Sequence, residues 1–229
     1  MAESIRPRDP LVALATLPCP WPWHRRVVKR AVDLTASSLA LILLALPLAI
    51  LGLLLRLRSP GPALFFQERV GRRGRRFRVW KLRTMVAGAP ALGPQVTAAG
   101  DPRVTPLGRL LRKTKLDELP QLVNVWKGEM SLVGPRPEVP RYVLTYSTAE
   151  RELLAVRPGL TDPASIAYHD EESQLAGHPD RERAYAEVIL PRKLALSRAW
   201  LYQQSFFGDL VILLRTAGLL LRRRCDSRP

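Results

Sequence analysis

"AVDLTASSLALILLALPLAILGLLL", residues Ala31 to Leu55, is the longest apolar stretch of the chain and contains one charged residue, Asp33. Its apolar run from Leu39 to Leu55 has 17 residues, whereas a straight membrane-spanning helix needs about 20. Pro47 lies inside the run and should kink a helix, because proline removes one backbone hydrogen bond and clashes with the preceding turn. The stretch therefore predicts a membrane helix of marginal length that bends at Pro47.

Basic residues flank this helix on both sides. They are Arg25, Arg26, Lys29 and Arg30 before it, and Arg56, Arg58 and the stretch Arg69 to Arg83 after it. Lys and Arg favour the cytoplasmic side of a membrane. A helix that crosses would place one basic flank outside, whereas a helix that enters, bends and returns keeps both flanks inside. The residues alone leave both arrangements open.

The composition limits the class of protein. The chain has 229 residues with 47% hydrophobic content, which fits one domain with a real core. Its net charge of +16 implies a polyanionic partner: nucleic acid, an anionic membrane or phosphate-rich small molecules. Nucleic acid is excluded because no fold motif of that class occurs and the basic stretch adjoins the membrane helix. Cys19 and Cys225 show neither zinc-ligand nor disulfide spacing, which is typical of a reducing compartment.

Local patterns predict the elements that follow the membrane helix. "ALFF" and "FRVW" predict two short strands around a Gly-rich basic turn. Thr105 should cap a helix whose first residue is Pro106. Asp117 should cap a second helix, with Pro120 in its first turn and Gly128 at its end.

Residues 181–224 predict two or three further helices. The last, around Phe206 to Leu221, is apolar but short, and it carries Asp209 and Arg215. We expect it to pack on the core or to lie on the membrane surface rather than to span.

Asp117 and Glu118 are the residues that indicate chemistry. Adjacent acids most often form a solvated helix start, where they favour the positive end of the dipole. Here Lys113 and Lys115 precede the pair and Arg136 follows it, and such cations keep carboxylates ionised. An ionised Asp can attack phosphorus and form a covalent intermediate, while the adjacent Glu can hold Mg²⁺. This division of roles suits a diphosphate substrate, whose charge a metal ion and arginines would neutralise.

Four basic residues are candidates for phosphate binding. Lys81 and Arg83 flank one leucine in a predicted strand, so they should point to the same face and reach one phosphate together. Arg136 in "GPRPE" and Arg157 in "VRPGLTDP" adjoin prolines, which limit backbone freedom, and a preorganised guanidinium binds phosphate with two hydrogen bonds. The other arginines of the stretch Arg69 to Arg83 favour anionic lipid headgroups.

Several motifs in fixed order give a family resemblance. "KRAVDL", the Pro-broken apolar helix, "FFQERVGRRGRRFRVWKLRTM", "DPRVTPLGRLLRKTKLDELPQLVNVWKGEMSLVGPRPE" and "VRPGLT" follow one another in this chain. Together they resemble the bacterial sugar transferases, the monotopic phosphoglycosyl transferases, from about Lys29 to about Leu221. The chain is similar to the minimal catalytic form, because the larger members add N-terminal membrane helices.

The resemblance implies an activity and roles for individual residues. Such enzymes transfer a sugar 1-phosphate from a nucleoside diphosphate sugar, usually a UDP-sugar, to polyprenyl (undecaprenyl) phosphate and release UMP. Asp117 would attack the sugar-linked phosphorus, and Glu118 would hold Mg²⁺. Lys81, Arg136 and Arg157 would bind phosphates. This is the first membrane step of envelope polysaccharide or glycoconjugate synthesis.

The resemblance also implies an α+β, mainly helical fold. An N-terminal interfacial segment (1–28) would precede a re-entrant membrane helix (29–58) bent at Pro47, and a small catalytic domain (59–229) with surface amphipathic helices would lie on the cytoplasmic face. The protein would be monotopic in the bacterial inner membrane, in contact with anionic lipid, and a homodimer through the soluble part is permitted.

Two departures from the family pattern leave points open. Many members have Ser before the helix-breaking proline, where this chain has Leu46, so the bend depends more on Pro47. Many read "PGLTGWAQV" where this chain reads "PGLTDPASIAYHDEE", so the donor sugar is not specified. From the residues alone, a Mg²⁺-dependent nucleotide-sugar hydrolase and a membrane-anchored polyanion-binding scaffold remain alternative functions.

Overall fold

The computed structural model describes residues 10–11, 18–93 and 96–225. Of the predicted interfacial segment 1–28, residues 1–9 and 12–17 lie outside the described residues, and residues 23–28 belong to the first long helix. The chain is mainly helical with two small two-stranded sheets, which confirms the predicted α+β class.

Helix α1 (Trp23–Arg58) has 36 residues and would measure about 54 Å if it were straight. Within the described part of the chain it is the one helix long and apolar enough to cross a membrane. It begins before the predicted start at Lys29, and its helical backbone continues through Pro47. The bend at Pro47 stays a prediction.

Both ends of α1 contact the same globular body. Near its start, Asp33 Oδ1 accepts a hydrogen bond from the backbone N–H of Leu132 at 3.0 Å. Near its end, Leu55 is buried with Leu82 and Leu111. The large apolar side chains between these contacts are exposed, namely Leu39, Ile42, Leu43, Leu46 and Ile50.

Strands β1 (Leu64–Val70) and β2 (Arg76–Leu82) form an antiparallel hairpin. The turn between them includes a short 3₁₀ segment, Arg72–Gly74, in which Arg73 has a φ of 58° and Gly74 a φ of 68°. The predicted strand pair around a basic turn is confirmed. The register places Lys81 opposite Phe65, at the end of the hairpin away from the turn.

Helix α2 (Pro106–Lys113) begins as predicted. The Thr105 side chain accepts a hydrogen bond from the Gly108 N–H at 3.0 Å. The segment after it is different from the prediction, because Leu116–Gln121 forms a 3₁₀ turn and helix α3 (Leu122–Lys127) begins only at Leu122. Asp117 lies inside the 3₁₀ turn rather than capping a helix.

Strands β3 (Ser131–Val133) and β4 (Gly159–Thr161) are parallel. Their backbones approach closely near Gly134 and Gly159, since a Cβ atom on Gly159 would lie 2.1 Å from the backbone N of Gly134. The Gly159 N–H donates to the carbonyl oxygen of Pro135 at 2.9 Å. This pairing brings the "GPRPE" and "VRPGLT" stretches side by side.

The remaining elements are short helices followed by two long ones. They are α4 (Pro140–Val143), a 3₁₀ turn (Glu150–Ala155), α5 (Pro163–Ala167), α6 (Glu171–Ala176), α7 (Arg181–Ala184), a π turn (Tyr185–Ile189), α8 (Leu190–Gln203) and α9 (Phe206–Cys225). The main core includes Tyr185 and Ile189 of the π turn and Leu190, Leu194 and Leu201 of α8. Helix α9 buries Ile212 and exposes a row of apolar side chains: Phe206, Phe207, Leu210, Val211, Leu214 and Leu221.

Candidate active site

The Asp117–Glu118 pair lies on a conformationally unusual turn. Lys115 immediately precedes the 3₁₀ turn and has a φ of 56°, a left-handed conformation that is uncommon outside glycine. Pro120 lies inside the same turn, and the turn packs against β2. Backbone strain of this kind often marks a functional position.

Glu118 is held by two cationic side chains. Arg136 donates from both terminal nitrogens, Nη1 to Oε2 at 3.1 Å and Nη2 to Oε1. Lys81 Nζ donates to the same Oε1 at 2.9 Å. We name this arrangement, comprising Asp117, Glu118, Lys81 and Arg136, the dyad site.

The electrostatics of Glu118 follow from these contacts. Burial alone would raise its pKa, but the charges of Arg136 and Lys81 outweigh burial and hold the pKa of Glu118 well below its usual range. Burial also lowers the pKa of Lys81, an effect that the Glu118 charge opposes. Glu118 is therefore ionised at neutral pH.

Asp117 differs from its neighbour although the two residues are adjacent. Its Oδ1 atom is buried and has no hydrogen-bond partner among the described residues. Burial, followed by repulsion from Glu118, raises the pKa of Asp117 to about 6. At neutral pH the carboxylate is mostly ionised, buried and poorly solvated, and such a group is a better nucleophile than one surrounded by donors.

The dyad site offers a divalent cation two carboxylates. Among the described residues no group of three or more His, Cys, Asp or Glu side chains could hold a metal ion. Mg²⁺ commonly uses one or two carboxylates together with substrate phosphates. The buried, unpartnered Asp117 Oδ1 beside Glu118 fits that pattern. Glu118 could bind the ion only if Arg136 or Lys81 moves, because these residues already contact both of its oxygens.

The structure brings Lys81 and Arg136 to the dyad but places Arg83 elsewhere. Arg83 is buried, and its guanidinium donates to the carbonyl oxygens of Ser59 at 2.7 Å and of Pro60. A weaker contact reaches the Leu55 carbonyl at 3.4 Å. Arg83 thus holds the C-terminal end of α1 and the turn after it. Its predicted phosphate contact stays a prediction.

Arg157 also lies away from Glu118. Its Nε donates to the Gly128 carbonyl at 2.8 Å, and its side chain lines a cavity near the start of α1. Pro47 lies in the exposed middle of α1. Of the four predicted phosphate-binding residues, two therefore contact the dyad and two do not.

Two basic residues near Asp117 were not predicted as site residues. Arg112 donates from Nε to Thr84 Oγ1 at 3.0 Å and from Nη1 to Glu172 Oε1 at 2.8 Å. The charges of Lys115 and Arg112 both oppose the rise in the pKa of Asp117. The available signal was their position five and two residues before Asp117 in "RKTKLD".

Comparisons with known proteins give a consistent result. A family model described as bacterial sugar transferase matches residues 24–223. The UDP-glucose:undecaprenyl-phosphate glucose-1-phosphate transferase of Caulobacter vibrioides is 39% identical over 223 residues, which cover 95% of this chain and 75% of that protein.

Two further relatives are similar over a smaller share of their own length. The undecaprenyl-phosphate glucose phosphotransferase of Komagataeibacter xylinus is 40% identical over 87% of this chain and 36% of its own length. The undecaprenyl-phosphate galactose phosphotransferase of Salmonella typhimurium is 34% identical over 86% of this chain and 41% of its own length. The chain thus spans less than half of each of these two relatives.

Proposed function

The chain belongs to the bacterial sugar transferase family, and we propose that it transfers a sugar 1-phosphate from a UDP-sugar to undecaprenyl phosphate through Asp117. Family membership and the class of enzyme were both predicted from the sequence motifs, and both are confirmed. The observation that carries the proposed mechanism is the contrast within the dyad. Asp117 keeps a buried oxygen without a partner, while Glu118 beside it is fixed by Arg136 and Lys81.

The proposed reaction has two displacement steps. An oxygen of ionised Asp117 attacks the phosphorus attached to the sugar, and the bond from that phosphorus to the bridging oxygen breaks, which releases UMP. The product is an aspartyl phosphosugar. A phosphate oxygen of undecaprenyl phosphate then attacks the same phosphorus, the aspartyl–phosphorus bond breaks, and the carboxylate is regenerated. Covalent catalysis of this kind replaces one difficult step with two easier ones.

We infer that Arg136 and Lys81 exchange partners when substrate binds. In the structure both cations contact Glu118. A nucleotide diphosphate brings additional negative charge beside them, and a guanidinium can bind two phosphate oxygens at once. Their movement toward the diphosphate would free Glu118 oxygens.

We propose that the freed Glu118 holds Mg²⁺, with Asp117 adjacent. When bound, the ion would neutralise charge on the diphosphate and on the departing UMP. Removal of divalent cations with EDTA should abolish UMP release, and Mg²⁺ should restore it. Mg²⁺ should also raise the melting temperature of the wild type but not that of Glu118→Gln. An equal rise in both proteins would mean that Glu118 is not a ligand.

We also propose that α1 is re-entrant, with the globular domain on the cytoplasmic face of the inner membrane. What supports this is that both ends of α1 contact one globular body while its apolar middle is exposed. A helix that crosses a bilayer has its ends on opposite sides, where one folded body could not hold both. The basic flanks agree with this arrangement because they favour the cytoplasmic side.

The donor sugar is left to experiment. The relatives include both glucose and galactose transferases. In the divergent segment, Asp162 is buried and accepts hydrogen bonds from Ser165 and Ser197, so it stabilises α5 and α8. Glu172 of the same segment pairs with Arg112, which lies close to the dyad in sequence.

UMP release from a panel of UDP-sugars tests the proposed activity. Purified protein in nanodiscs with Mg²⁺ would be assayed with and without undecaprenyl phosphate, with Asp117→Asn as the inactive control. We expect lipid-dependent UMP release from one sugar, reduced at least about 1000-fold in the variant. Turnover without lipid would indicate a hydrolase. No UMP from any UDP-sugar would refute the proposed donor class.

A further inference from the structure

A second site lies at the base of the membrane helix. The cavity there, which we name the basal cavity, is lined by Cys19, Trp21, Arg26, Lys29, Asp33, Arg72, Ser131, Ala155, Val156 and Arg157. Its cations come from three separate parts of the chain: the first turns of α1, the turn between β1 and β2, and the segment before β4. The folded state therefore assembles this cluster from residues that are distant in sequence.

The positive charge of the basal cavity is only partly neutralised. Lys29 Nζ pairs with Asp209 Oδ2 at 2.7 Å. Asp33, the one acidic side chain in the lining, accepts a backbone hydrogen bond from Leu132.

Among the described residues, the three arginines of the lining (Arg26, Arg72 and Arg157) have no carboxylate within ion-pair distance. Arg72 Nε donates to the Ala155 carbonyl at 3.2 Å and Arg157 Nε to the Gly128 carbonyl at 2.8 Å. The more distant Asp33 charge favours the protonated form of Arg157, as its effect on the Arg157 pKa shows.

Arg26 supplies the most direct indication of a ligand. Its Nε atom is buried and has no hydrogen-bond partner among the described residues. Buried polar atoms are nearly always hydrogen-bonded, so one without a partner calls for an explanation. A cationic N–H donor surrounded by other arginines is suited to an anion with several acceptor oxygens.

The electrostatics of the neighbouring arginines agree with this interpretation. Burial, and then repulsion from Arg73 and Arg26, lowers the pKa of Arg72. Burial, and then repulsion from Arg30 and Arg72, lowers the pKa of Arg157. A bound anion would relieve the repulsion among these guanidinium groups.

The basal cavity is separate from the dyad site. Arg72 lies in the hairpin turn, whereas Lys81 lies near the far end of β2. From Arg76 to Lys81 the strand rises roughly 16 Å. The two sites therefore occupy opposite ends of the hairpin.

The basal cavity is placed where a membrane surface would lie. It adjoins the first turns of α1, on which Trp23, Val27 and Val28 are exposed, and the apolar run follows directly. Tryptophan is enriched at membrane–water interfaces, where lipid phosphates are found. A phosphate at this depth could reach the cavity while its acyl or prenyl chain stays beside α1.

We propose that the basal cavity binds the phosphate group of a membrane lipid through Arg26, Arg72 and Arg157. The chemistry fits either the phosphodiester of an anionic phospholipid or the phosphomonoester of a polyprenyl phosphate. The site needs membrane association but not transferase activity, so it holds whether or not the proposed reaction is correct.

Cys19 provides a readout inside the cavity. It is a partly exposed free thiol in the lining, and a bound phosphate group should shield it from a small alkylating reagent. The experiment measures the alkylation rate in a Cys225→Ser background. The protein is placed in phosphatidylcholine nanodiscs alone, with phosphatidylglycerol, with undecaprenyl phosphate, or with inorganic phosphate in solution.

We expect at least about fivefold slower alkylation with one of the two anionic lipids, in line with the strength of charge-assisted hydrogen bonds. Arg26→Gln and Arg72→Gln should remove the protection, whereas Arg75→Gln, an exposed arginine beside the same hairpin turn, should keep it. Asp117→Asn should also keep it, which separates this site from the catalytic proposal.

The lipid that protects identifies the source of the phosphate. Protection by inorganic phosphate but by neither lipid would overturn the lipid assignment. Equal alkylation in every arm, or protection that survives both arginine variants, would overturn the site itself.

Discussion

The dyad site and the basal cavity both contain several cationic side chains, but they differ in how these are paired. At the dyad, Arg136 and Lys81 both contact Glu118. In the basal cavity the one ion pair among the described residues is that of Lys29 with Asp209. Arg26, Arg72 and Arg157 form no ion pair among the described residues, although the Asp33 charge acts on Arg157 from a greater distance. The buried Nε of Arg26 has no hydrogen-bond partner there.

The difference teaches that charge alone does not identify the catalytic site. Burial raises the pKa of Glu118, but the charges of Arg136 and Lys81 lower it by more. The same two cations fix the position of Glu118, so the site keeps its geometry before substrate binds. The arginines of the basal cavity repel one another. Arg72 and Arg157 donate from Nε to backbone carbonyls, which leaves their terminal nitrogens for an external anion. On this basis we assign chemistry to the first region and lipid binding to the second.

Among the cationic residues of the two regions, removal of Arg136 should have the largest effect on UMP release. In Arg136→Gln we expect UMP release to fall about 100- to 1000-fold, because the variant loses a donor pair that would bind substrate phosphate. Arg136→Lys should be intermediate, since an ammonium group cannot contact two oxygens as a guanidinium does. Steady-state kinetics measure the change.

Arg141→Gln is the matched control for Arg136. Arg141 also pairs with a carboxylate, Glu182, but at the surface, where such pairs contribute about 1 kcal/mol or less. Its variant should keep near wild-type activity. An equal loss of activity in both variants would mean that the Arg136 effect is not specific to the dyad.

Glu118→Gln should destabilise the folded protein by about 3 kcal/mol at pH 7.5 without metal, because it leaves two partly buried cations, Lys81 and Arg136, without their carboxylate partner. The pKa of Glu118 is lowered below its ordinary 4.5. Its stabilisation is therefore present above about pH 4.5 and is lost as pH falls through the folded-state pKa. Thermal unfolding in detergent with EDTA measures this, and destabilisation that is independent of pH would contradict the assignment.

Asp117→Asn should have the opposite effect on stability, because it should stabilise the folded protein at neutral pH. The folded protein binds the Asp117 proton more tightly than the unfolded chain, with a pKa of about 6 against 3.8. The free energy of unfolding therefore falls as pH rises from about 4 to 6, and above that the ionised carboxylate costs about 2 to 3 kcal/mol. The variant should melt higher than the wild type at pH 7.5 in EDTA, and the gain should disappear near pH 4.

The Asp117→Asn variant, which we expect to be inactive, should thus be the more stable protein. A lower melting temperature than the wild type at pH 7.5 would show that Asp117 is well partnered and would weaken its assignment as the nucleophile.

Local sequence signals were sufficient to predict several secondary-structure elements. The hairpin followed from strand patterns around "GRRGRR", and the start of α2 followed from Thr105 and Pro106, since both depend on neighbouring residues. The end of α3 at Gly128, with a φ of 84°, followed in the same way. The helix cap at Asp117 was wrong, because the left-handed Lys115 and the packing against β2 convert the segment into a 3₁₀ turn.

The placement of the arginines required tertiary contacts. Lys81 and Arg83 alternate in one strand, yet Arg83 reaches carbonyl groups at the end of α1, and those groups are distant from it in sequence. Arg157 enters the basal cavity because β4 pairs with β3. Arg26 joins it because Asp33 and neighbouring residues dock the start of α1 on the same body. These tertiary contacts could not be predicted from the spacing of the residues in the sequence.

The Lys29→Gln variant should have the smallest effect of these variants, and it tests most directly whether unpaired charge distinguishes the two regions. Lys29 lines the basal cavity, yet its charge is neutralised by Asp209 at 2.7 Å. If unpaired arginines bind the lipid phosphate, Lys29→Gln should leave the lipid-dependent protection of Cys19 intact. It should lower stability by only about 1 kcal/mol, because Asp209 retains the donors Trp200 and Gln204.

Alkylation and thermal unfolding of the same Lys29→Gln preparation separate the two roles. Intact protection with a slightly lower melting temperature would place lipid binding on the three arginines and assign Lys29 to holding α1 against α9. Loss of protection as large as in Arg26→Gln would mean that total charge, rather than unpaired charge, governs binding. The distinction between the two regions would then fail, because the dyad site would have to attract lipid phosphate as well.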